Sequence, residues 1–331
     1  MSNTRREFLQ ATAALALGAS SGIRASALTE RLDPAAPIPK ASPETGRSQG
    51  AVAPGSEPTI QIPTIKFGGV DIGRLVLGVN PFYGFAHYNN NFSASMRDWY
   101  TQDKVCEVLH RANHFGINAY NFVNVARSQQ DLARFQAEGG KMHLIIQVMA
   151  KDDPAALVKD LQPLALQRRG EEIDKAFTSG KMADEREWCK RARDLGVLVG
   201  VGTHRPEVIE LVEEQGWDID FFSGCVYNRN RSPEEWRRVL NGELLEMPGD
   251  IYLQSDPARM FKVIRQTPKP CFAFKILAAG RIDEANVAQA FRTAFSSIKP
   301  IDGVYVGMYP RTKDEVQINA TLVHDILTAS S

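Results

Sequence analysis

The chain has 331 residues, and its 39 Lys and Arg balance 39 Asp and Glu, so the formal net charge at pH 7 is zero. Hydrophobic residues make up 43%, enough for a large core, while no Lys/Arg-rich block stands out. Nucleic acid and anionic membrane surfaces therefore have no support as partners.

The first 27 residues read as an export signal. Thr4-Arg5-Arg6-Glu7-Phe8-Leu9 leads into the Ala- and Leu-rich stretch Leu9 to Leu17, which is far short of the roughly 20 apolar residues needed to span a bilayer. Ala25-Ser26-Ala27 then offers a small-x-small cleavage site. Basic, apolar and small-residue regions in this order make a twin-arginine signal peptide. The expected partner during export is the twin-arginine translocase, and the expected destination is the periplasm or the exterior. No later run is long and apolar enough for a transmembrane helix, so stable membrane insertion is not expected. Residues 28–60 are dominated by Pro, Ala, Ser, Gly and Thr, including Pro34, Pro37, Pro39, Pro43, Pro54 and Pro58. Such a stretch buries too little apolar area to offset the entropy of ordering it and reads as a flexible linker. Residues 61–331 suit one large domain.

Within that domain short β-branched or apolar runs alternate with helical patterns. Strands are expected at Leu75–Asn80, Ile117–Phe122, His143–Met149, Pro163–Gln167, Val197–Thr203, Ile219–Tyr227, Cys271–Leu277 and Gly303–Met308. Between them, Asp103 caps Lys104–Phe115, a helix from Asp184 ends at Leu195-Gly196, and Pro206-Glu207 opens one ending at Gly216. A further helix, Glu284–Ile298, precedes the last strand. Gly116, Gly196 and Gly216 each follow a last helical turn, where a left-handed residue closes the helix. Eight strand–helix repeats with near-continuous apolar strands predict an α/β fold, a single (β/α)8 TIM barrel. An open doubly wound sheet would carry Gly-x-Gly-x-x-Gly after its first strand, and none is present.

A barrel of this kind places its active site at the C-terminal strand ends, and period-two alternation predicts which side chains point inward. On Val197–Thr203 the valines face the helices, while Gly200, Gly202 and His204 face the axis. His204 is thus a candidate catalytic group, with a histidine hydrogen-bonded to a neighbouring loop as the alternative. On Cys271–Leu277 the expectation is Phe272, Phe274 and Ile276 outside and Cys271, Ala273 and Lys275 inside. A lysine facing the helix layer would be an unpaired buried charge, so Lys275 is expected in the mouth as the second catalytic candidate. Other strand and loop ends add Asn80, His87, Asn121, Gln147, Gln167, Tyr227 and Asn228 as substrate-binding candidates. Amides position hydroxyls without exchanging protons, so the set suggests a neutral, sugar-like small-molecule ligand. The long aromatic stretch Phe82–Trp99 is a candidate lid. Cys106, Cys189, Cys225 and Cys271 have neither CxxC nor metal-ligand spacing and are expected as buried thiols. Cys225 and Cys271 fall on expected neighbouring strands, so a disulfide is the alternative. A metal at His87, His204 and Cys225 is disfavoured, because no spacing forces them together.

Leu75-Val76-Leu77-Gly78-Val79-Asn80-Pro81, Gly116-Ile117-Asn118-Ala119-Tyr120-Asn121, Val199-Gly200-Val201-Gly202-Thr203-His204, Val226-Tyr227-Asn228 and Ile276-Leu277-Ala278-Ala279-Gly280 resemble strands of the aldo-keto reductases. Gly307 and Glu315-Val316-Gln317-Ile318-Asn319 follow the spacing of that family's cofactor-binding end. The resemblance implies a barrel, a nicotinamide cofactor (NAD(P)) near Arg311, Lys313 and Asn319, and a carbonyl substrate. It also implies an Asp, Tyr, Lys and His tetrad, and here the chain departs. Asn121, Gln147 and Gln167 stand for the Asp, Lys and His, and Val125-Ala126-Arg127 lacks the Tyr. Glu315 falls where the family carries its adenosine-phosphate arginine. Without a positioned acid, roughly 10²–10⁴-fold of acid–base catalysis is missing. The favoured expectation is a non-redox enzyme (lyase, isomerase or hydrolase) using Lys275 and His204. The alternatives are an NAD(P)-dependent oxidoreductase with a replaced tetrad and a non-catalytic sugar-binding barrel.

Overall fold

The computed structural model describes residues 60–242 and 250–329. The export signal, and the linker up to residue 59, lie outside the described residues. Eight parallel strands close on themselves in the order β10-β3-β4-β5-β6-β7-β8-β9. They are β3 (Leu75–Gly78), β4 (Ala119–Val123), β5 (His143–Val148), β6 (Ala165–Arg168), β7 (Leu198–Thr203), β8 (Phe221–Cys225), β9 (Cys271–Phe274) and β10 (Gly303–Gly307). All eight expected strands form, so the chain is a single (β/α)8 barrel. Gly116, Gly196 and Gly216 have φ of 76°, 75° and 58°, the left-handed conformation that ends each preceding helix.

Two features differ from expectation. A hairpin of β1 (Thr64–Phe67) and β2 (Val70–Gly73) precedes the barrel. Phe67 packs edge-on against Phe221 and Phe272, at 5.1 and 5.3 Å between centroids, and joins the cluster of side chains filling the barrel interior. The helix expected from Asp184 forms as α6 (Met182–Arg193), and an unexpected helix, α5 (Gly170–Thr178), precedes it. In the first loop, Asn80–Tyr83 forms a short 3-10 turn and α1 (Asn90–Trp99) follows, capped by the Asn89 side chain on the Phe92 amide. The first long helix, α2 (Gln102–His114), is capped by Thr101 rather than Asp103.

The interior explains where a ligand can go. Val76, Ala119, Ile145, Ala165, Phe221 and Phe272 form one apolar cluster with the hairpin. Two residues further along four of these strands, on the same face, stand Asn121, Gln147, Gln167 and Ser223. Period-two alternation thus turns an apolar plug into a polar floor within one step of each strand. Gly200 leaves room for Phe221, since a Cβ there would lie 2.3 Å from its ring. Gly202 does the same for Gln167, at 2.7 Å from Nε2.

Cys271 and Ala273 pack in the outer cluster beneath the helices, while Phe272 belongs to the interior. The facing predicted for this strand is therefore inverted. Its alternation is uninformative because both faces are apolar, and the Phe272 ring takes the interior space beside Gly303 on β10. The four cysteines are free and buried. Cys271 registers with Phe222 and Cys225 with Phe274, so the two are offset along the neighbouring strands rather than paired across them.

Candidate active site

Above the polar floor lies a cavity of about 400 Å³. Asn80, His87, Asn121, Gln147, Gln167 and Lys275 all line it, as expected for the mouth. The stretch expected as a lid contributes Phe85, Ala86, His87, Phe92 and Met96 to the wall. The other side is Phe274, Ile276, Leu277, Ile282 and Val287. The floor amides are bonded to one another. Gln147 Nε2 donates to Asn121 Oδ1 at 2.7 Å, and Asn121 Nδ2 donates to the Ile145 carbonyl at 3.4 Å. Tyr305 OH donates to Gln167 Oε1 at 3.3 Å. Tyr305 and Ser223 were missed by sequence reasoning, although both alternate correctly on their strands.

Lys275 reaches the cavity by a different route from the one predicted. It follows the last residue of β9 and has φ of 61°, so the strand's alternation stops there and the side chain turns towards the mouth. Its Nζ lies 3.6 Å from Asp250 Oδ2 and 5.9 Å from the centroid of the Tyr252 ring. Burial, reinforced by the Arg229 guanidinium, pushes the amine down to about 8, although Asp250 and Glu171 pull the other way. Asp250 also accepts from Arg229 Nη1 at 2.8 Å, and His87 Nδ1 is 2.9 Å from its Oδ2. Arg229 bridges on to Glu171. Burial opposes ionisation of Asp250, but the His87 hydrogen bond and the Arg229 and Lys275 charges hold its carboxyl well below the usual range. Burial pushes His87 down to about 4. The His87–Asp250 contact at neutral pH is therefore a hydrogen bond from neutral Nδ1–H to a carboxylate, which leaves Nε2 as an acceptor. Glu171, Arg229 and Asp250 carry no sequence signal, because Glu171 lies in the connection after β6 and the other two lie far apart in the connection after β8, and only the folded barrel brings them together.

Other candidates lie away from the cavity wall. His204 is buried; its Nδ1 is 2.7 Å from Asp174 Oδ2, and its backbone N–H donates to the same carboxylate. Asn230 Nδ2 also donates to Asp174, at 2.7 Å, and the His204 ring packs against Phe274 at 5.5 Å. These contacts match the hydrogen-bonded alternative, and His204 is not among the residues that line the cavity. Tyr227 packs on Tyr252 at 4.8 Å, and the Asn228 amide N–H donates to Asp256. Among the described residues no three His, Cys, Asp or Glu side chains form a group that could hold a metal ion, and no helix is long and apolar enough to cross a membrane.

The residues expected at a nicotinamide cofactor are not gathered on the cavity wall. Of Arg311, Lys313 and Asn319, only Lys313 lines the cavity, and it is paired with Glu284 at 2.8 Å. Arg311 donates to Ser95 Oγ at 2.7 Å, and Asn319 is buried on α11 (Glu315–Thr328). At the start of α11 the Glu315 carboxylate accepts from the Tyr309 amide at 2.7 Å. An acceptor therefore fills the position in which a dinucleotide phosphate would need a donor.

The fold and cavity define a (β/α)8 barrel with a ligand-sized site at the strand ends that carry chemistry in such barrels. No family model matches the chain. No curated protein matches it either. Among solved structures it is similar to a truncated form of 3-deoxy-D-arabino-heptulosonate 7-phosphate synthase from Thermotoga maritima, at 12% identity and a TM-score of 0.48, covering 82% of this chain and 92% of that one. It is also similar to phospho-2-dehydro-3-deoxyheptonate aldolase from the same organism, at 13% identity and 0.48, covering 82% and 73%. A probable 2-pyrone-4,6-dicarboxylic acid hydrolase from Acinetobacter baumannii, with citric acid bound, matches at 10% and 0.40, covering 68% and 80%. At these scores the likeness carries no argument about chemistry, and the aldo-keto reductase resemblance gains no support from it. The barrel rests on the chain's own strand pairing.

Proposed function

We propose that this chain is an exported (β/α)8 enzyme that acts on a small carbonyl compound through Lys275, by non-redox lyase or isomerase chemistry. The observation that carries the reading is the buried Lys275 amine in the cavity wall, pushed down to about 8. At pH 7 such a lysine holds roughly 300-fold more free amine than an ordinary one. The free amine adds to the carbonyl carbon as the C=O π bond breaks and the oxygen takes a proton. Loss of that oxygen as water leaves a protonated imine on Nζ. The cationic nitrogen then draws electrons from the bond next to the former carbonyl. Asp250 and His87, which share a hydrogen bond, stand beside Nζ and place polar groups at the reacting end. An aldo-keto reductase-like origin fits the strand motifs. Carbonyl reduction does not fit, because amides stand where the resemblance calls for the proton donors. Export through the twin-arginine route belongs to this reading on the sequence of residues 1–27.

The test is borohydride trapping at pH 7 with small aldehydes and ketones, followed by peptide mapping. The expected result is reduced adduct on Lys275 ahead of the exposed lysines, and none at that position in Lys275→Met. Adducts distributed over exposed lysines with Lys275 unmodified would overturn it.

A further inference from the structure

We infer that the cavity floor is a recognition site for one substrate hydroxyl, held by Ser223, and that the substrate is a neutral hydroxy carbonyl compound with an apolar body. The inference rests on the Lys275 reading for its carbonyl end only. Ser223 lies on β8, is fully buried and lines the cavity, yet its Oγ has no hydrogen-bond partner. Buried hydroxyls are seldom left unpaired. Around it, Gln147 is bonded to Asn121 and Tyr305 to Gln167. Ser223 is thus the floor hydroxyl with both its proton and its lone pairs unspent, which matches a ligand hydroxyl.

The walls decide the rest of the ligand. Phe92, Phe274, Ile276, Leu277, Ile282 and Val287 present carbon surface, which a polyhydroxylated sugar would leave with unmet hydrogen bonds. The cations on the wall each have an acidic partner, Lys313 in Glu284 and Lys275 in Asp250, which weakens the pull of the cavity on a phosphate or carboxylate. No floor group takes up a proton at neutral pH either. Amides do not titrate, and burial raises the Tyr305 hydroxyl well above its ordinary value. The hydroxyl is held rather than ionised, and proton transfer stays at the Lys275 end.

The experiment is calorimetric titration at pH 7 with two probes, 4-hydroxy-4-phenylbutan-2-one and its deoxy analogue 4-phenylbutan-2-one. Wild type should bind the hydroxyketone at least about tenfold more tightly, as a hydrogen bond to an otherwise orphaned group predicts. Ser223→Ala should erase that preference, keep the deoxy affinity, and melt no lower than wild type, since it loses no hydrogen bond. Ser223→Cys, of similar shape but a poorer hydrogen-bonding group, should fall between and serves if the alanine variant does not fold. A preference that survives both substitutions, no preference in wild type, or tighter binding of dihydroxyacetone phosphate would each overturn the assignment. Borohydride trapping of the same ketones separates the two readings. Failure of the floor leaves Lys275 adducts without a hydroxyl preference, and failure of the lysine leaves the Ser223-dependent preference without adducts.

Discussion

Lys275→Met removes the charge but keeps an unbranched apolar stem. The amine falls from its ordinary 10.5 to about 8 on folding. At about 1.4 kcal/mol for each power of ten in proton affinity, holding the ammonium in place costs the fold about 3 kcal/mol below pH 8. Between pH 8 and 10.5 the unfolded chain binds the proton and the folded chain does not, so wild-type stability from this group rises with pH across that window. Methionine has no such term. The variant should therefore be as stable as wild type at pH 7 or more stable, by up to about 3 kcal/mol, with the gap closing towards pH 10. Asp250 keeps Arg229 at 2.8 Å and His87 at 2.9 Å after the change, so it is not left as an unpaired buried charge. Urea unfolding of both proteins at pH 7 and pH 10 measures the gap, and trapping or turnover measures function. Activity should fall at least about a hundredfold. In wild type, the activity that depends on free amine should rise with pH through about 8. A variant destabilised at pH 7 by a pH-independent amount, with activity retained, would make Lys275 a structural counter-ion and refute the reasoning.

Replacing Arg5 and Arg6 together by Lys should leave full-length precursor in the cytoplasm; unchanged mature protein in the periplasmic fraction, read by immunoblot, would remove the twin-arginine reading. Fluorescence titration with NADPH should show no saturation in the micromolar range, because a carboxylate, Glu315, stands where the resemblance places the phosphate-binding arginine and amides replace the tetrad; micromolar or tighter binding would restore the reductase alternative. Gly200→Ala puts a Cβ 2.3 Å from the Phe221 ring, and overpacking of this kind costs about 1–3 kcal/mol, so the variant should melt lower than wild type. An unchanged melting temperature would mean that the Phe221 ring has room to yield.

Much of the fold was legible because each barrel strand is a short apolar run closed by turn residues, and because Gly116, Gly196 and Gly216 mark helix ends. The hairpin was missed because Thr64–Phe67 and Val70–Gly73 are too brief to stand out by periodicity. Asn121, Gln147 and Gln167 were readable as residues of the barrel mouth, where they line the cavity, since a polar residue at the C-terminal end of an apolar strand has few other places to point. Tyr227 and Asn228 follow the same rule but belong to a connection that turns away over Tyr252 and Asp256.

What the sequence determined by itself was local: hydrophobic period, helix ends, and polarity at strand tips are set by neighbours a few residues away. What the tertiary structure decided was everything that depends on closure of the sheet. The facing of β9 was settled by volume, because the Phe272 ring fits in the interior beside Gly303 of the neighbouring β10 while Cys271 fits beneath the helices. The left-handed turn at Lys275 overrode strand alternation and carried the amine to the mouth regardless. The contacts of Asp250 with Lys275, Arg229 and His87 join residues from three connections. Burial there sets the state of the lysine, and neither the contacts nor the burial exists until the eighth strand meets the first.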